Sequence, residues 1–546
     1  MKHLTILVLG LLISVSVSPQ NQERFIVKLK DKQTKAYSIH QPEAFLSKKA
    51  LERRERYNIA IDTQDLPVSP EYVDELRKAG YTVTHSVKWL NTLIVKGQGS
   101  KALTGFDFVA DVRQAAKRAG HGKKPFFEAE SVAEAPYDYR QSDDENIYDY
   151  GQAYNQIAML NGHLVHNEGY DGEGMTIAVL DAGFRKVDQI AAFDSLWANG
   201  QIIDTRNFVN NEDVFSPTIS SHGMHVLSTM GGYLPGQLVG TAPRSDYYLV
   251  RTEDASDEYL LEEYYWVDGA EYADSVGADI INSSLGYTNG FNDPDNNHTY
   301  EDMDGNTTPV TIGADEAAQK GILVVNSAGN SGNGSWKYIG GPADGDSVFT
   351  IGAVDGDSAY VSFSSVGPTY DGRLKPNVMA KGLSATVASE WGGVTYASGT
   401  SFSSPITAGM VASVWQAMSE KSNMEVMELI EENSHLYQNP DTLMGYGIPD
   451  YEAVLNATGT WYKKPARLSV DVGPNPFRDR VKVVLEARYS KIHFALYNSA
   501  GSVVAEGAYN NVKQFEIDGL DGLPAGLYVL NLRRDDDIIS RKLMHR

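Results

Sequence analysis

The sequence predicts an α/β protein: a parallel sheet with helices on both faces, preceded by a small α+β domain and followed by a β-sandwich. Three observations predict it. Between residues 136 and 460, short and nearly continuous apolar runs alternate with helical patterns, as expected of strands buried on both faces by crossover helices. Ahead of that region, alternating apolar residues accompany two amphipathic helical patterns. Beyond about residue 465 the texture changes to short alternating strands separated by turns such as Asn498-Ser499-Ala500-Gly501, the pattern of a small sandwich.

Taken in order, Lys2-His3 and the apolar run Leu4 to Val17 have the layout of a signal peptide and are too short to span a bilayer. Residues 1–20 are expected to be that signal, and no later run is apolar for long enough to be a transmembrane segment. In the unit 21–135, Arg24 to Leu29 reads as a strand and Pro42 to Tyr57 as a basic helix. Ser69-Pro70 opens a second helix ending near Gly80, and Tyr81 to Val95 reads as strand. Ala129 to Gln152 is acidic and Tyr-rich and reads as an exposed connection, where maturation cleavage is expected. In the unit 136–460, Met175 to Leu180, Tyr247 to Val250, Ile280 to Ser284, Ile322 to Ser327 and Val348 to Val354 read as strands. Tyr259 to Val276, Ala314 to Lys320 and Pro405 to Ser419 read as helices. The tail, 465–546, offers strands at Arg467 to Val472, Val481 to Glu486, Lys491 to Tyr497, Val503 to Tyr509, Lys513 to Ile517, Gly526 to Leu532 and Ile538 to Met544.

A chain of 546 residues is too long for one ordinary domain. A formal net charge of −24 argues against nucleic acid and against an anionic membrane surface as partners. Cysteine is absent, which excludes disulfides, thiolate catalysis and Cys-ligated zinc.

The chemistry gathers at four places. Gly399-Thr400-Ser401-Phe402-Ser403-Ser404-Pro405 leads a turn into a helix, so a serine there lies beside free backbone N–H groups. Such a serine serves equally as a helix cap, and Ser401, Ser403 and Ser404 are all candidates on that reading. Met175 to Gly183 is a buried strand ending in Asp181; Ser221-His222-Gly223-Met224-His225 is a helix start with two histidines. Val324 to Asn330 ends a further strand in Ala-Gly-Asn, itself readable as an ordinary glycine-rich turn.

In the chain order Asp, His, Ser, these stretches resemble the subtilisin-like serine proteases, the subtilases. The resemblance implies a subtilisin-like sheet, Ser401 as nucleophile, His222 as general base, Asp181 as the carboxylate orienting it, and Asn330 as an oxyanion donor. It makes His225 structural. It further implies that Ser284, Leu285 and Gly286 pair with an extended protein or peptide substrate. Ala182 departs from the usual hydroxyl residue after the aspartate, and Met224, Leu227 and Ser228 depart from the usual residues after the histidine. These changes adjoin the proton path without touching it, so tuned activity is expected.

By its position, 21–135 resembles the subtilase propeptide, a partner that folds and blocks its own enzyme. Pro474-Asn475-Pro476-Phe477, Ala495 to Gly501 and Leu523 to Tyr528 resemble the C-terminal sorting domain of the type IX secretion system, implying export to the outside or the cell surface by that machinery. No cofactor is required by this reading. Calcium, which subtilases often carry on acidic loops, has candidates in Asn292 to Asn297 and Glu301 to Asn306. The reading is a secreted serine endopeptidase. The alternatives are a weak or inactive subtilase-fold protein that binds peptides, and an esterase on the same residues.

Overall fold

The first strand of the amino-terminal domain, β1 (Glu23–Leu29), divides its alternate side chains between two cores. The computed structural model describes residues 23–115, 146–457, 470–534 and 537–546, so the expected signal peptide and most of the connection at 129–152 lie outside the described residues. With β2 (Thr82–Val87), β3 (Thr92–Gly97) and β4 (Val109–Ala115), β1 forms an antiparallel sheet of order β2-β3-β1-β4. Phe25, Val27 and Leu29 pack with Leu93, Val95 and Leu76 in a core belonging to this domain. Ile26 and Ile94 point the other way and join Trp89 against the domain that follows.

Two local readings needed correction here. The single strand expected over Tyr81 to Val95 is a hairpin, turned at Asn91 in a left-handed conformation (φ 47°). The helix expected from Pro42 is only a short 3-10 turn there. The helix α1 (Lys48–Arg56) starts later, where Ser47 accepts a hydrogen bond from Ala50 N–H. α2 (Pro70–Lys78) falls where expected.

After the short helices α3 (Tyr154–Ala158) and α4 (Gly162–Asn167) comes β5 (Thr176–Asp181), buried at every position. α5 (Asp194–Ala198), β6 (Ile202–Asn207), α6 (His222–Gly231), a two-residue pair β7 (Tyr233–Leu234) and β8 (Leu238–Val239), and β9 (Asp246–Arg251) follow. Then come α7 (Leu261–Val276), β10 (Ile280–Ser283), α8 (Pro309–Gln319), β11 (Leu323–Ser327), β12 (Val348–Val354) and β13 (Val378–Lys381). Seven strands make one sheet of order β13-β12-β11-β10-β5-β9-β6, every neighbour parallel.

Period-two alternation feeds both faces: Ile177, Val179 and Val325 join one core, Ala178, Leu180 and Val324 the other. A hairpin of β14 (Ala385–Ala388) and β15 (Val394–Ala397) precedes α9 (Thr400–Ala417), buried all round its length as far as Trp415. α10 (Asn423–Glu432) and α11 (Tyr451–Ala457) close the domain. α6 and α9 cover the first face, α7 and α8 the second. The chain lays β6 and β9 on one side of β5, then returns to lay β10 to β13 on the other. The crevice beyond the carboxyl ends of β5 and β10 is therefore a topological switch point, where open α/β sheets place their sites.

The tail forms a second compact unit, residues 462–546. Its strands are β16 (Val470–Gly473), β17 (Val481–Tyr497), β18 (Val503–Ile517), β19 (Gly526–Arg534) and β20 (Asp537–His545), all antiparallel neighbours. The expected strands at 481–486 and 491–497 are the two halves of β17, and those at 503–509 and 513–517 the two halves of β18. The core, around Phe477, Leu496, Leu530 and Leu532, is thus enclosed by a single connected sheet.

Candidate active site

Asp181 closes β5 and is fully buried. Its Oδ1 accepts the N–H of Ala182 at 2.7 Å. His222, the first residue of α6, directs Nδ1 at both carboxylate oxygens, 2.9 Å from Oδ1 and 3.0 Å from Oδ2. The approach depends on Gly223. A Cβ there would come within 2.6 Å of the Gly183 carbonyl and 2.9 Å of Asp181 Cβ, so only glycine lets the helix start sit on the strand end.

His225, the rival base, is held down to about 4 by burial first and by the neighbouring His222 charge next. A neutral, enclosed ring one turn along the helix suits a packing role.

Ser401 is the second residue of α9, which starts five residues before the helix start expected at Pro405. Gly399 makes this possible, taking φ 149° and ψ 153°, a conformation reserved for glycine. Ser401 Oγ is buried and makes no hydrogen bond among the described residues. Its N–H lies in the first turn, where no carbonyl one turn back is available. The Phe402 ring lies 6.0 Å from that of His222, tilted at 45°, which brings the start of α9 to the imidazole.

Asn330 follows β11. Its Oδ1 accepts both the N–H of Thr400 at 2.9 Å and the Thr400 hydroxyl at 3.0 Å, so the amide is fixed with its carbonyl end on the helix start. Thr400 also accepts from Gly329 N–H at 3.1 Å.

The three residues expected to meet substrate lie just past β10. Ser284 is fully buried, and its hydroxyl donates to the Ser401 carbonyl at 2.9 Å. The Leu285 side chain is in the core, its carbonyl accepting from Asn326 Nδ2 at 3.1 Å. Gly286 is buried beside Tyr287, which pairs antiparallel with Gly341. The anchoring roles of Ser284, Thr400 and Gly223 were not legible in the sequence.

With this geometry in place, comparison with known proteins is decisive. The subtilase family model matches residues 172–447, half of the chain. The chain belongs to the subtilase family. Residues 24–128 match the peptidase S8 propeptide domain of Bacteroidota, and 471–546 the secretion system C-terminal sorting domain. Among curated relatives, subtilisin DY of Bacillus licheniformis is 32% identical over 260 residues, 47% of this chain and 82% of its own. The subtilisin of Bacillus pumilus is 30% identical over 302 residues, covering 54% and 96%. A solved structure of the prenylagaramide maturation protease PagA aligns with TM-score 0.43 and 23% identity over 54% of this chain and 97% of that one. This subtilase is accordingly a serine-type endopeptidase carrying its own propeptide domain and a sorting domain.

Among the described residues of the subtilase, no helix is long and apolar enough to cross a membrane. In the two acidic loops considered for calcium, three of the carboxylates accept turn N–H groups. Asp293 accepts from Asp295 N–H, Asp302 from Thr299 N–H, and Asp304 from Asn306 N–H. Among the described residues, the one group of three converging carboxylates is instead Glu253, Glu258 and Glu262.

Proposed function

We propose that this subtilase hydrolyses peptide bonds through an acyl-enzyme on Ser401. The observation that carries the reading is the pair of contacts from His222 Nδ1 to Asp181. They commit Nδ1 to donating and make Nε2 the basic nitrogen of the ring. Ser401 Oγ attacks the scissile carbonyl carbon and gives its proton to Nε2. The oxyanion that forms is met by the Ser401 N–H and the Asn330 amide. His222 then protonates the leaving amine, and water repeats the sequence on the ester to release the acid. The substrate lies extended along Ser284-Leu285-Gly286, held by main-chain hydrogen bonds. Each step uses groups of this chain alone.

In the same reading, residues 1–20 are a signal peptide and 21–135 are cleaved off after folding. The tail, 465–546, takes the catalytic domain, 136–460, out of the cell or to its surface by a type IX route. The test is Ser401→Ala, which abolishes both peptide hydrolysis and labelling by a serine-directed phosphonate. Turnover retained by that variant refutes the assignment.

A further inference from the structure

The loop joining β9 to α7, with the first turn of α7, buries three carboxylates that no lysine or arginine side chain pairs with. Oxygens of Glu253, Glu258 and Glu262 lie within 4.8 Å of one another, and the residues are only 2, 8 and 0% exposed. The charged groups around them are themselves acidic: Asp254, Asp257 and Glu263. Of these acids Arg251 reaches only Asp254, at 3.9 Å; it also pairs with Glu212 at 4.0 Å and spends its Nε on the carbonyls of Ala182 and Glu253. Burial first pushes all three carboxyls above their usual range; repulsion within the set comes next for Glu253 and Glu262, whereas Glu263 and Asp257 come next for Glu258, which is pushed up to about 8.

Two of the three have neutral donors. Glu262 accepts the N–H groups of Asp254 at 2.8 Å and Tyr259 at 2.9 Å. Glu253 accepts the hydroxyl of Tyr287 at 2.8 Å. Glu258 is different. More than nine-tenths buried, it points a carboxylate oxygen at the other two, yet no hydrogen bond or ion pair reaches its side chain among the described residues. A carboxyl buried there without a partner either keeps its proton or takes a counter-ion.

We propose that Glu253, Glu258 and Glu262 form a buried calcium site. The donor set is oxygen only, which suits a hard dication and not zinc or copper. Burial of all three residues disfavours the long side chain of a basic peptide. It also disfavours magnesium, which keeps several of its waters, whereas calcium accepts irregular carboxylate cages. One shared proton would leave two negative charges in the pocket; a dication leaves one, met by the N–H groups of Asp254 and Tyr259 on Glu262. The ion ties the loop 253–260 to Tyr287, next to the segment expected to bind substrate. Thr252, at the root of the loop, donates its N–H to the Asp181 carbonyl at 3.1 Å, so the site also braces the wall of the crevice. The inference stands independently of the roles given to Ser401 and His222.

The test uses the full chain carrying Ser401→Ala, to prevent self-cleavage, stripped with a chelator and titrated with calcium alone by calorimetry and with terbium by luminescence. Tyr287, whose hydroxyl reaches Glu253, is close enough to sensitise a lanthanide bound there. The expected result is one equivalent of calcium fewer, or at least about tenfold weaker binding at that site, in Glu258→Gln, with the sensitised terbium emission lost and the circular dichroism unchanged. Where Glu258→Gln fails to fold, Glu253→Gln is scored in the same way. Equal calcium stoichiometry and terbium emission with and without the substitution overturn the proposal. So does a chelated protein that Glu258→Gln stabilises while calcium leaves both unchanged, which would assign the cluster to shared protons. Binding of an arginine peptide, but not of calcium, that depends on Glu258 overturns it in favour of a side-chain pocket.

Discussion

Ser284 donates its hydroxyl to the backbone carbonyl of Ser401 across 2.9 Å, and the reason lies four residues along α9. Pro405 sits inside that helix and has no N–H to give to the carbonyl at position 401. Ser284 supplies the missing donor and thereby pins the end of β10 to the turn that carries Ser401. In Ser284→Ala the buried carbonyl is unsatisfied, at a cost of about 1–3 kcal/mol in stability. Turnover falls by about tenfold with KM little changed, because the position of Oγ is lost and not a substrate contact. Ser284→Thr restores much of it. Steady-state kinetics on a peptide substrate checks this; a raised KM at constant kcat would make Ser284 a substrate-binding residue instead.

Asn330 is held by Thr400 through its carbonyl oxygen, and in the proposed mechanism its NH₂ meets the oxyanion. Asn330→Leu removes that donor and lowers kcat by about 10²–10³, the range known for loss of this donor in subtilisin itself. Thr400→Val removes one of the two anchors and costs less. The double variant is no slower than Asn330→Leu, because both changes act through one amide. Additive losses in the three kcat values would separate the two residues.

Much of this arrangement was legible because the relevant residues report local physics. Thr176 to Asp181 is buried on both faces and reads as a continuous apolar strand, and Asp181, His222 and Ser401 each sit where an element starts or ends. What was hidden depends on partners distant in the chain. Ser284 and Ser401 are 117 residues apart, and nothing local marks the hydroxyl as a substitute for the N–H that Pro405 lacks. The turn within Tyr81 to Val95 was masked by Trp89 and Leu90, which are apolar because they face the next domain and not because they lie in a strand. α7 misleads in the opposite way. Glu262, Glu263, Glu271 and Asp274 would ordinarily mark a solvated face, yet all four are buried, two of them under the amino-terminal domain.

His166 gives the folded protein an acid-sensitive point. The ring is fully buried. With Thr241 O 3.0 Å from Nε2 and the Tyr150 hydroxyl 2.7 Å from Nδ1, Nε2 is the donor and Nδ1 the acceptor. Burial holds its pKa down at about 4, the Thr241 bond opposing and the His163 charge assisting. The unfolded chain takes up the proton near 6.5, the folded one only near 4. Stability is therefore lost as pH falls through that window, by about 3 kcal/mol for this one group. His166→Gln carries no such proton. The stability of the parent relative to His166→Gln, both on a Ser401→Ala background, therefore declines between pH 7 and pH 4 in urea titrations. A difference that stays flat would mean the ring is protonated equally in both states.

The amino-terminal domain is clamped on α7 by charge as well as by apolar surface. Arg53 and Arg54 reach Asp274 Oδ1 at 2.5 Å and 2.9 Å, with Lys88 3.7 Å from Oδ2. Burial would push the Asp274 carboxyl up, but these three cations together hold it below its usual range. Arg54 has a second partner in Asp65 at 3.0 Å, whereas Arg53 otherwise meets only carbonyls, of Lys320, Ala278 and Asp274. Asp274→Asn therefore leaves a guanidinium buried without a counter-charge. Breaking a buried pair in this way costs about 3–5 kcal/mol, so the domain is released at least about 10²-fold more readily. The measurement follows Trp415, which is 1% exposed and packs against Tyr57 of the amino-terminal domain with ring centroids 6.4 Å apart. After the chain is cut between residues 116 and 145, its fluorescence reports departure of that domain. Release at the parent rate in Asp274→Asn would place the hold in the apolar face of Ile26, Trp89 and Ile94, with the buried charges contributing nothing net.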